Sequence, residues 1–302
     1  MGQLDNTTDF IASKFLGKRV ESFQTYEPSL LVAVPRVENR KMYDINEEDL
    51  PFEGFDIWHA YEFSTLTKTG FPVTRVIKLR YSCDSEYIVE SKSLKLYLNS
   101  FNMSKFGQNT IDCLKICKNI IEKDISEKLQ TAVELEFLSN SYERVQIFDK
   151  YENLENLIGE NLCIDKFKES PEILFCQRVN ENQEEYYLTF DSLRSNCRVT
   201  HQPDFGDVFI YYKSRKMISY DSLVKYLISF RSEYHFHEEC CEMIYKRLYD
   251  ILDKDDRLMV CALYTRRGGI DISPVRCSKN FSNSDIESLI DLKKFARYGI
   301  KQ

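Results

Sequence analysis

The chain has 302 residues, 43% of them hydrophobic and 29% charged, with a formal net charge of −7. Two domains of ordinary size with packed cores fit that length and composition. The acidic balance argues against a broad nucleic-acid surface, and no apolar run approaches the ~18 residues of a membrane-spanning helix.

Taken in order, Met1 to Asn6 shows neither the basic nor the apolar region of a secretory signal, and Asn6 breaks the myristoylation pattern. Leu30 to Val34 is a short apolar run stopped by Pro35. Leu50 to Trp58 mixes turn residues with aromatics and reads as a packed irregular segment. Tyr61 to Leu66 and Thr74 to Cys83 read as strands; in the second, Ile77, Leu79 and Tyr81 alternate with Lys78 and Arg80. Thr110 to Ile125 has the apolar spacing of an amphipathic helix, with Asn109 or Thr110 as its cap, and Thr131 to Leu138 alternates like a strand.

Residues 140–182 are polar and acidic with weak periodicity, which suggests a linker or peripheral region between modules at 1–139 and 183–302. Beyond it, Tyr186 to Phe190, Arg198 to His201 and Val208 to Tyr212 read as strands. Tyr220 to Phe230 and His237 to Leu252 read as helices, and Leu258 to Tyr264 is a strand leading into Thr265-Arg266-Arg267-Gly268-Gly269. Ser93 to Phe101 matches Ser222 to Phe230 at Ser, Leu, Tyr, Leu, Ser and Phe. A helix and then a strand follow each copy. The match implies two copies of one α+β unit, an antiparallel sheet with helices on one face.

The ten cysteines are irregularly spaced and, with no secretory signal, read as free thiols of a reducing cytoplasm. Cys113 and Cys117 have no CxxC partner, so no zinc ribbon is expected. Cys197 stands out because Asp204 follows it across Pro203. Proline ends a ladder, so Cys197 is placed at the start of a strand and Asp204 in the turn after it. A thiolate nucleophile needs positive charge or donors nearby, and Asp204 becomes a general acid if an enclosed site raises its pKa. The alternatives are a buried structural cysteine and a turn-forming aspartate.

His235-Phe236-His237-Glu238-Glu239-Cys240-Cys241 opens the last long helix. It matches no zinc-ligand spacing. It serves either as a capping run of carboxylates or as a binding pair, with Glu238 accepting two N–H donors from a guanine-like edge and His237 donating. Ser91, Lys92, Lys95, Arg266 and Arg267 suit phosphate, and Gly268-Gly269 lets backbone approach a ligand. No GxGxxG is present.

These stretches together resemble the NADPH-dependent 7-cyano-7-deazaguanine reductases of queuosine biosynthesis, in their long two-module form. The residues that carry the resemblance are Glu90 to Asn102, Ser195-Asn196-Cys197 with Thr200-His201-Gln202-Pro203-Asp204, Ser229-Phe230-Arg231 with Phe236-His237-Glu238, and Tyr264 to Ile272. Leu50-Pro51-Phe52 and Asp56-Ile57-Trp58 add weaker support. The resemblance implies a tunnelling fold of two tandem ferredoxin-like modules in a homodimer. It implies that Cys197 adds to the nitrile carbon as a thioimide, with Asp204 as proton donor, and that NADPH delivers hydride twice. Val89, Glu90, Ser91, His237 and Glu238 would hold the deazaguanine, and Ser91, Lys92, Arg267 and Gly268 would contact NADPH. No metal, nucleic acid or membrane enters this reading. Phe205 stands where the family usually has Trp, and Arg198 where an apolar residue is expected. Other readings are an amidinotransferase of the same fold, a non-enzymatic purine-binding module and a zinc-dependent purine-ring hydrolase.

Overall fold

The computed structural model describes residues 25–138, 146–159 and 162–289. The first half contains β1 (Ala33–Pro35), α1 (Val37–Met42), β2 (Glu53–Leu66), β3 (Pro72–Ser82), β4 (Tyr87–Val89), α2 (Ser91–Asn99), α3 (Thr110–Leu129) and β5 (Val133–Leu138). A short β6 (Glu152–Asn153) follows. The second half contains β7 (Cys176–Arg178), β8 (Glu184–Cys197), β9 (Pro203–Ser214), β10 (Lys216–Ile218), α4 (Tyr220–Ile228), β11 (Tyr234–His235), α5 (His237–Ile251), β12 (Arg257–Tyr264), β13 (Ile270–Cys277) and α6 (Asn283–Leu289).

The repeat is built into the hydrogen bonds. In the first half the Ser93 hydroxyl accepts the Val32 N–H at 3.1 Å and donates to the Glu90 carbonyl at 2.7 Å. In the second, Ser222 accepts the Phe175 N–H at 3.2 Å and donates to the Ser219 carbonyl at 2.8 Å. Ser100 donates to the Tyr97 carbonyl and Ser229 to the Tyr226 carbonyl, each at 2.6 Å. The ring pairs Tyr97–Phe101 and Tyr226–Phe230 meet edge-on at 5.4 and 5.5 Å. Thus the matched Ser, Tyr and Phe positions are the ones whose side chains fix α2 and α4 to their surroundings. The hairpins correspond too. β2 and β8 each carry an irregularity, after Ala60 and after Phe190, and β3 and β9 each open on a proline.

The repeat also runs further upstream than the sequence indicates. Pro28 and Pro171 each open a one-turn 3-10 helix, followed by β1 and β7, which pair with β4 and β10. Residues 171–178, expected in a linker or peripheral region, therefore sit where 28–35 sit in the first copy. Three-residue strands are too short to show a period.

The two copies share one sheet, in the order β11-β8-β9-β12-β13-β2-β3-β5. Pairing is antiparallel except where β11 and β6 meet β8. This is the two-module tunnelling architecture, with α2, α3, α4 and α5 over one face and two apolar clusters beneath them. On the other face Phe148, Tyr151, Phe281 and Ile286 cover Phe209, Tyr211, Met259 and Val275. The segment after β5 and α6 thus close part of the second face.

The modules meet where β13 pairs with β2 from Ile270↔Ala60 to Cys277↔Glu53. Sequence reading misses β13 because Pro274 interrupts it, and proline is rare inside a central strand. Pro274 tolerates the place because β12 pairs only with Val275, Arg276 and Cys277. Ahead of Pro274, β13 keeps β2 alone, and the sheet opens between Tyr264 and Ile270. Two further expectations change. Leu50 to Trp58 is not irregular throughout, since β2 begins at Glu53. Arg198 to His201 is a turn and not a strand: the Cys197 N–H donates to the Gln202 carbonyl at 2.8 Å, the His201 N–H donates to the Cys197 carbonyl at 2.9 Å, and His201 has φ 56°. Cys197 therefore ends β8, and Asp204 lies inside β9 opposite Ser195.

Behind the junction lies a buried ion network. Arg36 and Arg276 meet Asp56 at 2.5 and 2.9 Å, and Arg40 and Arg276 meet Glu242 at 2.7 and 2.9 Å. These five side chains come from α1 and its lead-in, β2, α5 and β13, so the network spans both modules. Burial alone would raise the Glu242 pKa, but Arg276, Arg40 and Arg36 bring it down to about 2.

Candidate active site

The opening between the modules forms a cleft of about 220 Å³. One wall comes from the second module: Cys197 from the end of β8, Asp204 from β9, and His235 and His237 from β11 and α5. The facing wall comes from the first module: Glu90, Ser91, Lys92 and Lys95 at the start of α2. Arg267 and Gly268, in the turn between β12 and β13, close one end. The sequence predicts eight of these residues as a site. In the sequence Lys95 stands out only as one of the phosphate-suited cations, and His235 only as part of the run opening the last helix.

Cys197 is half-buried and is the cysteine that lines this cleft; all ten cysteines are free thiols. Cys240, by contrast, is fully buried, and burial pushes that thiol up to about 12. Asp204 is 7% exposed and meets two partners, the Arg267 guanidinium at 2.6 Å and His237 Nε2 at 3.4 Å. Burial alone would raise the Asp204 pKa, but His237 and Arg267 more than offset it, and the net shift is downward. The condition under which Asp204 would serve as a general acid, a pKa raised by enclosure, is therefore not met here. Arg267 also donates to the Thr200 hydroxyl at 3.0 Å and to the Gln202 side chain. It clamps the β8–β9 turn to the β12–β13 turn. This contact is invisible in sequence, where Asp204 and Arg267 are far apart.

His237 opens α5. Its Nδ1 is buried and has no hydrogen-bond partner among the described residues. Glu238, the next residue, is 2% exposed and lies behind the cleft lining. Burial and the charge of Asp56 push its pKa up to about 8, against the pull of Arg36 and Arg276. Its Oε1 is buried without a hydrogen-bond partner among the described residues. An unpaired acceptor of this kind costs about 1–3 kcal/mol unless a ligand satisfies it. Val89 is likewise buried behind the lining, its N–H 3.5 Å from the Tyr81 hydroxyl.

Glu90 has a local duty. It caps α2, accepting the Lys92 N–H at 3.0 Å and the Ser93 N–H at 2.7 Å on separate oxygens. The oxygen that takes the Lys92 N–H also accepts the Ser91 hydroxyl at 3.5 Å, and the other keeps a further lone pair for a ligand. Lys95 reaches Glu62 at 3.6 Å, and a Cβ on Gly268 would stand 3.2 Å from Lys95 Nζ. Gly268 has φ 59°, which favours glycine. Ser91, Lys92, Lys95 and Arg267 give this rim the hydroxyl and cationic donors that phosphates take. Arg198, unexplained in sequence, pairs with Glu239 at 2.6 Å, and Glu239 in turn accepts the Phe236 N–H at 2.9 Å. Among the described residues no cluster of three or more His, Cys, Asp or Glu is placed to hold a metal ion.

Fold and cleft together define a class: two-module tunnelling-fold enzymes whose thiol-bearing site lies between the modules. A family model described as "Nitrile reductase, 7-cyano-7-deazaguanine-reductase N-term" matches residues 23–137, and one described as "QueF-like protein" matches residues 203–283. Val89 to Lys92 fall in the first segment. Asp204, His237, Glu238, Arg267 and Gly268 fall in the second, and Cys197 lies between the two. A protein of Colwellia psychrerythraea named NADPH-dependent 7-cyano-7-deazaguanine reductase is 38% identical over 92% of this chain and 96% of its own length. Proteins of the same name from Desulfotalea psychrophila and Buchnera aphidicola are 40% and 37% identical, over 86% and 84% of this chain and 91% and 94% of their own. The chain belongs to the 7-cyano-7-deazaguanine reductase family, the nitrile reductases of the queuosine pathway.

Proposed function

We propose that this chain reduces the nitrile of 7-cyano-7-deazaguanine to the primary amine with NADPH, through a covalent adduct on Cys197. The observation that carries the reading is the cleft itself, where one thiol, a carboxylate–histidine pair and a cationic rim converge from two modules. The Cys197 sulfur forms a bond to the nitrile carbon, C≡N becomes C=N, and the nitrogen takes a proton, giving a thioimide. Asp204 and His237 manage that proton. Because Asp204 is held ionised by Arg267 and His237, the proton it passes on is one shared with His237 Nε2, 3.4 Å away. Glu238, with its unpaired Oε1, and Glu90 accept the N–H groups of the deazaguanine, beside Val89 and Ser91. Ser91, Lys92, Arg267 and Gly268 would hold NADPH. When bound, NADPH would supply the two hydrides that carry a nitrile to an amine, and between them the C–S bond to Cys197 breaks and returns the free thiolate.

The test is to mix the protein with 7-cyano-7-deazaguanine alone and record absorbance and intact mass. An adduct lost in Cys197→Ala, followed by substrate-dependent NADPH oxidation, is the expected result. An adduct with no NADPH consumption points to amidinotransferase chemistry, and bound substrate with no adduct leaves a binding module. A homodimer and a cytoplasmic setting complete the reading. In support, the outer side of β5 carries no strand among the described residues, so a second copy can continue the sheet, and the cysteines are free thiols. Light scattering at micromolar concentration is expected to give twice the 35.8 kDa chain mass. Among the described residues no helix is long and apolar enough to cross a membrane.

A further inference from the structure

We propose that Tyr264 is a positioning residue for the reaction: its ring is the shelf that fixes the imidazole plane of His237 and so aims Nε2 at Asp204. This rests on the reductase reading above. The two rings lie face to face, with centroids 3.8 Å apart and planes within 4°. Two neutral rings do not choose a direct sandwich, since their quadrupoles repel; offset and edge-on pairs are preferred. The geometry is imposed from outside the pair. Tyr264 is the last residue of β12, fully buried and opposite Gly206 in the ladder with β9. His237 is fixed as the first residue of α5. Strand end and helix start press the rings together, and any positive charge the imidazole acquires turns the contact into an attraction.

The shelf matters because His237 has few other restraints. Nε2 reaches Asp204 only at 3.4 Å, and Nδ1 has no partner among the described residues. An imidazole tethered at one nitrogen can swing about that contact, whereas stacking removes the swing. Gly206 makes room for the shelf: a Cβ there would stand 3.1 Å from Tyr264 Cδ1 and 3.2 Å from the Leu263 carbonyl oxygen. The chain of support runs Gly206, Tyr264, His237, Asp204. Gly206 lies two residues beyond the carboxylate it helps to aim at.

The experiment follows adduct formation with 7-cyano-7-deazaguanine in single turnover, without NADPH, in Tyr264→Leu, Tyr264→Phe and Gly206→Ala, each checked for native Tm. For Tyr264→Leu the saturating rate should fall on the order of 100-fold, the penalty of a misaimed group. The half-saturating substrate concentration should move by less than about 5-fold, since Glu238 and Glu90 bind the ring system. Tyr264→Phe keeps the ring and should restore the rate to within a few-fold. Gly206→Ala displaces the shelf without removing it and should fall between, which keeps the test valid if Tyr264→Leu does not fold. The His237 imidazole proton signals, shifted upfield by the ring beneath them, should move back in Tyr264→Leu and not in Tyr264→Phe. A native rate in Tyr264→Leu or Gly206→Ala overturns the inference, and so does a Tyr264→Phe as slow as Tyr264→Leu. Absence of any adduct in the native protein overturns the reductase reading instead.

Discussion

On the role proposed for Glu238, substrate binds at the expense of a proton. With its pKa pushed up to about 8, the free protein holds this carboxyl protonated at neutral pH. Accepting two N–H groups requires the carboxylate, so binding is linked to proton release. Substrate affinity should therefore rise with pH and level off above about 8. Calorimetry in buffers of different ionisation enthalpy should detect the released proton at pH 7. Glu238→Gln should weaken binding by about 10- to 100-fold, the worth of a charge-assisted hydrogen bond, and abolish both signals. The sign for stability is opposite: an acid whose pKa is raised on folding from its ordinary 4.5 stabilises less as pH climbs from there towards 8. At this scale the sequence makes legible which side chains are candidates for the chemistry, because Cys197–Asp204 and His237–Glu238 are each short local patterns, and the structure brings Cys197, Asp204 and His237 to one cleft. It does not reveal how they are tuned. The clamp on Asp204, the shelf under His237 and the charges around Glu238 come from Arg267, Tyr264, Asp56, Arg36 and Arg276, none of them near its partner in the chain.

α2 and α4 show the same relation between pattern and structure. Their matched serines, tyrosines and phenylalanines are legible in sequence because each fixes the helix in an identical way in both copies. Ser93→Ala and Ser222→Ala should each cost about 1–2 kcal/mol, since each strands a backbone N–H that the hydroxyl now satisfies. Lying in different modules, the two losses should add, and urea unfolding of the singles and the double checks both statements. The strands were harder to read. β13 is hidden by Pro274, tolerated because β12 pairs only with the residues beyond it. β1 and β7 are hidden by their brevity, and the β8–β9 turn reads as a strand because Arg198-Val199-Thr200 has strand-forming composition.

For the whole molecule, the shared sheet and the buried ion network make the two modules one thermodynamic unit. Calorimetry should show a single unfolding transition. Arg276 touches both Asp56 and Glu242, so Arg276→Met leaves two buried carboxylates short of a partner and should cost about 3–5 kcal/mol. The network also sets acid sensitivity. Glu242 titrates at about 2 in the fold and near 4.5 when unfolded, so its stabilisation is full above 4.5 and lost as pH falls towards 2. Acid unfolding of Glu242→Gln, which lacks that titration, should start from lower stability and fall less steeply across the same interval.

The two hairpins begin and end alike, yet Leu66 stands where Cys197 stands, and Val73 where Asp204 does. Such a pair is the signature of a duplicated gene whose copies have parted company. One copy carries the hairpin with Cys197 and Asp204, while the other kept only its shape and lends the start of α2 to its sibling's cleft. Selection on the first hairpin is then selection on bulk and greasiness. Leu66 and Val73 should drift freely among aliphatic residues over evolutionary time, while Cys197 and Asp204 stand still.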